Sequence, residues 1–357
     1  MTDPLLVLAW LVLAHLVSDF VLQTNAIAMA KAGSGRRALT GLGAHGLIVA
    51  ACVLPVGLAY GGPGWTFLVV TAVSHVVIDR TKVVLTRRAA AGALAEAHRR
   101  HEGPQRADHL GRAWTPRPAA LFVLDQSAHL AIAAGLWAVL LVPATHLGSW
   151  TSTIDGLLGG WDRAVVHDVV SAAVVLVSLA IVNIQDAALL VAILVRPVEQ
   201  SAGETRWGGR VAPATDLGPD AAPVAGDVGS PIRRWSLRIG PFDARIEAEP
   251  DRPPLGSRLG AAGAGADSVH SGSGPLGPNA RVGATIGVLE RILIVVFVLT
   301  GSEAAVGFVV AAKTLARFRL LDDRDFAEYY LLGTLASVAV AIVSGLIARA
   351  ALASLLG

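Results

Sequence analysis

Cysteine is almost absent. Cys52 is the only one in 357 residues, which excludes an internal disulfide and a zinc site built from cysteine thiolates. Charge is scarce too. Charged side chains make up 16% of the chain, against about a quarter in ordinary soluble domains. The formal net charge of +2 is too small to argue for nucleic acid as a partner. No Lys or Arg precedes the first apolar run. Ala26-Ile27-Ala28 imitates a signal-peptidase site, but a basic leader is missing and His15, Asp19 and Gln23 interrupt the run. The stretch is therefore expected to stay in place as a span.

What the chain has instead is apolar length. Hydrophobic residues reach 54% and mean hydropathy is +0.59, concentrated in runs of roughly 20 residues, the length that crosses a bilayer as a helix. The expected fold class is all-α: a polytopic transmembrane bundle of about seven spans. Spans are expected at about 4–24, 39–60, 65–85, 119–142, within 164–195, 284–312 and 329–356. Gly41, Gly43 and Gly46 offer close helix contact in the second. Residues 1–195 form a five-span domain and residues 283–357 a two-span hairpin. Residues 196–282 between them are rich in Gly, Pro, Ala and Ser, with ten Arg and ten acids from Arg196 to Arg281. That composition buries no core and reads as a disordered cytoplasmic linker, with a short hairpin open to 233–248.

Loop charge gives an orientation. Lys31, Arg36 and Arg37 follow the first span, and nine Lys/Arg fall from Arg80 to Arg117, against one in the second and fourth loops together. Basic loops stay in the cytoplasm, so the amino terminus is expected outside. With seven spans, Lys313 to Arg319 would then face out, against the same rule; a re-entrant or interfacial segment there would remove the conflict.

The chemistry is expected where the spans turn polar. His15 and Asp19 lie four residues apart, on one face of a helix. His75 and Asp79 repeat the pair, Asp125 and His129 reverse it, and His45 stands alone in the second span. Ionisable residues inside spans are costly and mark function by default. In the orientation above, each Asp lies on the cytoplasmic side of its His, which is about 6 Å deeper. Three carboxylates and four imidazoles are thereby placed in one layer. Imidazole and carboxylate suit zinc, manganese or iron, so His15, Asp19, His45, His75, Asp79, Asp125 and His129 are the expected ligands of a divalent metal. Gln23 and Gln126 border this set. Asp186 and Glu290 either join it or pair with Arg291. Glu303 falls in the middle of the sixth span with no role.

Several stretches resemble a family of bacterial membrane proteins known as domain of unknown function 3307. The likeness rests on His15-Leu-Val-Ser-Asp19-Phe-Val-Leu-Gln23-Thr24, on His45, on His75-Val-Val-Ile-Asp79 and on Leu124-Asp125-Gln126-Ser-Ala-His129. Leu289-Glu290-Arg291, Ala311 to Phe318 and Glu328 to Thr334 extend it to the carboxyl-terminal end. The resemblance implies a multi-pass protein of the bacterial cytoplasmic membrane and no known activity. Three functions follow from the residues. One is a metal-dependent intramembrane hydrolase acting on a lipid-like substrate. A second is a cation- or proton-coupled transporter using the same groups. The third is a membrane scaffold whose polar groups lock helices together.

Overall fold

The computed structural model describes residues 3–101, 115–144, 156, 159–195, 234–239, 242–247, 278–322 and 324–357. Helix α1, Pro4–Leu16, starts at Asp3, whose carboxylate accepts from the Leu5 N–H, and continues through a π-helical turn, Val17–Val21. A short helix α2, Asn25–Lys31, is capped by the Thr24 hydroxyl. Gly35–His101 is two helices meeting at Gly61, where φ 57 and ψ −128 are open to glycine alone. The arm before Gly61 is α3 and the arm after it α4. Pro63 sits in the first turn of α4, where a missing N–H leaves no bond unmade. Helix α5, Arg117–Leu136, runs into a second π turn, Trp137–Leu141. Helices α6, Arg163–Ile181, and α7, Ala187–Val195, are joined by a third, Val182–Asp186.

Among the described residues, five stretches are long and apolar enough to cross a membrane: Pro4–Val21, Gly35–Ala93, Arg117–Leu141, Arg163–Val195 and Tyr330–Leu356. The second of these contains the Gly61 fold-back. The basic stretch expected as a loop from Arg80 is helical as far as His101, because its first part is rich in alanine, the strongest helix former.

The carboxyl-terminal helices are α8, Pro278–Leu299, α9, Ala304–Ala316, and α10, Arg324–Leu356. The span expected over 284–312 is broken at Thr300 to Glu303, where Gly301 has φ 69. Glu303 is therefore at a turn and not mid-span, and it binds Arg349 at 2.8 Å. Side-chain pairs give the directions. Arg291 meets Ser337 and Val298 meets Arg349, so α8 and α10 are parallel. Lys313 meets Glu290, so α9 runs back along α8. The segment Lys313 to Arg319 thus returns to the end of the bundle where α8 begins. That is also the end holding Lys31, Lys82 and Val195, since Gly333 packs near Val195. The conflict over its charge disappears.

Two apolar cores hold these helices. Leu6, Val174, Leu179, Ile294, Val298, Val306 and Ala341 join α1 to α6, α8, α9 and α10. Leu11, Ala14, Val53, Val56, Phe67, Ala133 and Leu141 join α1 to α3, α4 and α5 at the amino-terminal end. These helices belong to one compact unit, Met1–Arg210 with Leu276–Gly357. In the other unit, Val211–Pro275, strands β1, Arg234–Ile239, and β2, Phe242–Glu247, pair antiparallel with Arg234 opposite Glu247 and Ile239 opposite Phe242. The rest of the expected linker lies outside the described residues, as do the side chains of His98, His101 and His109.

Candidate metal centre

Four helices deliver the polar layer. The π turn after α1 widens the helix so that the Leu22 N–H reaches back to the Val17 carbonyl, and Ser18 and Asp19 sit buried within it. Such one-turn widenings recur at functional sites. The Ser18 hydroxyl donates to the His15 carbonyl at 2.8 Å and approaches Asp19 Oδ1 at 3.3 Å. On α3, a Cβ at Gly46 would meet Val76 Cγ2 at 2.9 Å. Without one, α3 and α4 close until His45 Nε2 and His75 Nε2 are 3.0 Å apart. Gly41 does the same for α2, whose Lys31 N would be 2.6 Å from an added Cβ. Gly43 faces open space and makes no such contact.

His45 is fully buried, and His75 and Asp79 are 2% and 1% exposed. Asp19 Oδ1 lies 3.0 Å from His75 Nε2 and 3.3 Å from His45 Nε2. Asp79 Oδ2 lies 3.4 Å from His45 Nε2 and 4.0 Å from His75 Nε2. On the other flank, His129 Nδ1 is 3.9 Å from Asp125 Oδ1. The rings of His75 and His129 stack at 3.9 Å, and those of His15 and His129 lie 5.1 Å apart. His15 Nε2 bonds Gln126 Oε1 at 3.0 Å, and the Gln126 amide donates to Asp125 Oδ2 at 3.0 Å. All seven residues singled out from the sequence therefore meet in one place. They form three overlapping sets close enough to hold a metal ion: His15, His75 and His129; Asp19, His45 and His75; Asp79, Asp125 and His129.

Two lysines complete the layer. Lys31 Nζ bonds both Asp79 Oδ2 and Gln23 Oε1 at 2.5 Å. Lys82 Nζ bonds Asp125 Oδ2 at 2.5 Å and lies 3.8 Å from Asp79 Oδ1. Neither stands out as a site residue in the sequence. Lys31 reads as a loop charge, and Lys82 as the second charge of a basic run, although it lies three residues after Asp79 and so on the same helix face. The order through the bundle is imidazole, then carboxylate, then ammonium. Three carboxylates face two ammonium groups, which leaves one negative charge. Asp186, in the third π turn, is a fourth carboxylate and has a buried Oδ1 without a hydrogen-bond partner. It adds a second. Arg291 does not take it: its Nε donates to the Asn183 carbonyl at 2.6 Å, and Glu290 pairs with Lys313 at 2.5 Å.

Several polar atoms in this layer are buried without a hydrogen-bond partner: Asp79 Oδ1, Asp125 Oδ1 and His129 Nδ1, and also His45 Nδ1, in a ring whose Nε2 faces His75. Buried acceptors left bare are rare and demand a missing partner. Beyond the imidazoles, a cavity of about 20 Å³ is lined by His15, His75, His129, Thr71 and Ser74 together with apolar side chains such as Phe67 and Val53. It has room for about one water.

Residues 7–158 match the model of a family described as Protein of unknown function (DUF3307). The matched stretch runs from α1 past the end of α5 and carries all seven His and Asp residues as well as both lysines. The carboxyl-terminal likenesses at Leu289 and beyond lie outside it. No curated protein and no solved structure matches the chain. In the matched segment the chemistry is therefore carried by the site itself.

Proposed function

We propose that this chain is a multi-pass protein of the bacterial cytoplasmic membrane and that Asp19, His45, His75 and Asp79 bind one divalent metal ion. One observation carries the reading. A tetrahedral ion with bonds of about 2.0–2.1 Å needs neighbouring ligand atoms about 3.3–3.4 Å apart. Among Asp19 Oδ1, His45 Nε2, His75 Nε2 and Asp79 Oδ2, the two nitrogens lie 3.0 Å apart and the nitrogen–oxygen distances are 3.3, 3.0, 3.4 and 4.0 Å. Few purely structural contacts would bring two imidazole nitrogens and two carboxylates to such spacing, since a single N–H between His45 and His75 leaves the accepting nitrogen with its lone pair against a carboxylate oxygen. Charge supports it as well. The two uncompensated negative charges counted with Asp186 are balanced by one divalent ion.

The basic end of the bundle is the cytoplasmic one by the positive-inside rule, which puts the centre toward that leaflet. A bound ion there supplies Lewis acidity, the basis of hydrolysis at neutral pH. His129 and Asp125 stand beside the centre to accept a proton. A lipid-like substrate reaches this depth laterally, so a metal-dependent hydrolase is the reading taken forward. Transport is the weaker alternative, because the far side of the imidazole layer is closed by Leu11, Val53 and Phe67.

Metal analysis of the purified protein tests the centre. About one zinc, manganese or iron per chain is expected, and Asp19→Asn should lose it while eluting and melting as a folded protein. A wild-type chain without stoichiometric metal would leave only the proton-coupled transporter or scaffold readings. Hydrolysis of lipid substrates in liposomes, present in the wild type and absent in Asp19→Asn, tests the reaction separately.

A further inference from the structure

A second cluster sits beside the proposed ion and is not needed to bind it. Asp79 Oδ1, Asp125 Oδ1 and His129 Nδ1 are each buried and each lack a hydrogen-bond partner. Asp79, Asp125 and His129 are 1%, 4% and 5% exposed, and one ligand atom from each lies within 4.8 Å of the others. Three buried residues that each carry a bare acceptor, and that bring ligand atoms this close together, offer a cation position. The cation nearest to it belongs to the protein. Lys82 Nζ bonds the outer oxygen of Asp125 at 2.5 Å, stands 3.8 Å from Asp79 Oδ1 and covers the Phe122 ring at 5.6 Å.

We infer that Asp79, Asp125 and His129 form a second cation site, bridged to the first through the two oxygens of Asp79, and that the Lys82 ammonium group takes the place of its metal. The inference rests on the first site as proposed above. With Lys82 in place, a second divalent ion would bind against an ammonium at hydrogen-bond distance, and the layer would carry two surplus positive charges in an apolar setting. With the lysine charge removed, the second set offers two carboxylate oxygens, one imidazole nitrogen and an uncompensated negative charge, one imidazole fewer than the first. Lys82 is thus a residue that sets metal stoichiometry. A two-metal centre of the kind that clamps both oxygens of a displacement reaction is held here in a one-metal, one-ammonium form.

The test loads the full-length protein with Mn²⁺ and measures bound manganese and its electron paramagnetic resonance spectrum. The wild type should hold one isolated ion. Lys82→Met should hold two, with a spectrum broadened by exchange coupling, and Lys82→Met combined with Asp125→Asn should return to one. Lys82→Gln gives the same reading if the Met variant does not fold. One ion in the wild type and one in both Lys82 variants would overturn the inference and leave the first site standing; no ion in the wild type would overturn the first site itself. If neither Lys82 variant folds, Asp125→Asn decides alone. It should keep its single ion, and loss of that ion would show one merged site.

Discussion

Lys31 Nζ lies 2.5 Å from Asp79 Oδ2, bridging 48 residues of sequence. The pair is buried, with side-chain exposures of 8% and 1%, and it fastens α2 under the bundle. The same carboxylate oxygen is a ligand of the proposed ion. Removing the lysine therefore has opposite meanings in the two states of the centre. Without metal, Lys31→Gln strands the charge of Asp79, a change worth about 3–5 kcal/mol when one partner of a buried pair is lost. With metal, the ion replaces the lost charge. Melting in detergent should show a large loss for the metal-free variant and a smaller one for the loaded variant. Equal losses would detach Lys31 from the centre.

Glycine at 41 should matter where glycine at 43 does not. A Cβ at Gly41 would sit 2.6 Å from both Ala30 Cβ and Lys31 N, and backbone cannot swing aside as a side-chain tip can. At Gly43 nothing lies within 4 Å. Valine at either position carries the same helix propensity, so the difference isolates packing. Gly41→Val should cost about 1–3 kcal/mol more than Gly43→Val and should lower metal occupancy, because it lifts Lys31 away from Asp79. Thermal melts and metal analysis of the two variants provide the comparison, and matching results would mean that α2 is not clamped to α3.

Sidedness can be read with cysteines, since Cys52 is the only native one and is replaceable by serine. Arg37, Arg319 and Trp161 are exposed. On the topology traced by the side-chain pairs, Arg37→Cys and Arg319→Cys should both resist a membrane-impermeant maleimide applied to intact cells, and Trp161→Cys should react. Labelling of Arg319→Cys from outside would mean that α9 does not return the chain to the basic end.

The helical bundle was legible because apolar length is a property of local sequence. The histidines and aspartates were legible because a spacing of four survives as a shared face. Lys31 was not. Nothing near Asn25 to Lys31 says that this stretch turns under the bundle, and its charge carries the same weight in a loop count wherever the ammonium points. Lys82 shared a face with Asp79 but sat in a run that also holds the exposed Arg87 and Arg88. The π turns at Val17–Val21 and Val182–Asp186 add one residue to a turn, a change too small to disturb an apolar periodicity. Glu303 looked mid-span because Gly301 and Ser302 are tolerated in membrane helices and do not announce a break.

Helix α9 has 13 residues and so a length of about 20 Å, against a hydrocarbon thickness of about 30 Å. It presents Phe308 and Leu315 outward, 78% and 76% exposed, while Lys313 and Arg317 gather over the Tyr330 ring at its end. In a bilayer a helix this short is matched by local thinning or by flanking Lys313 and Arg317 reaching for the headgroups, at a fraction of a kcal/mol per ångström. On the membrane reading proposed above, this flank would be a place where acyl chains shorten and headgroups sink toward the depth of the polar layer.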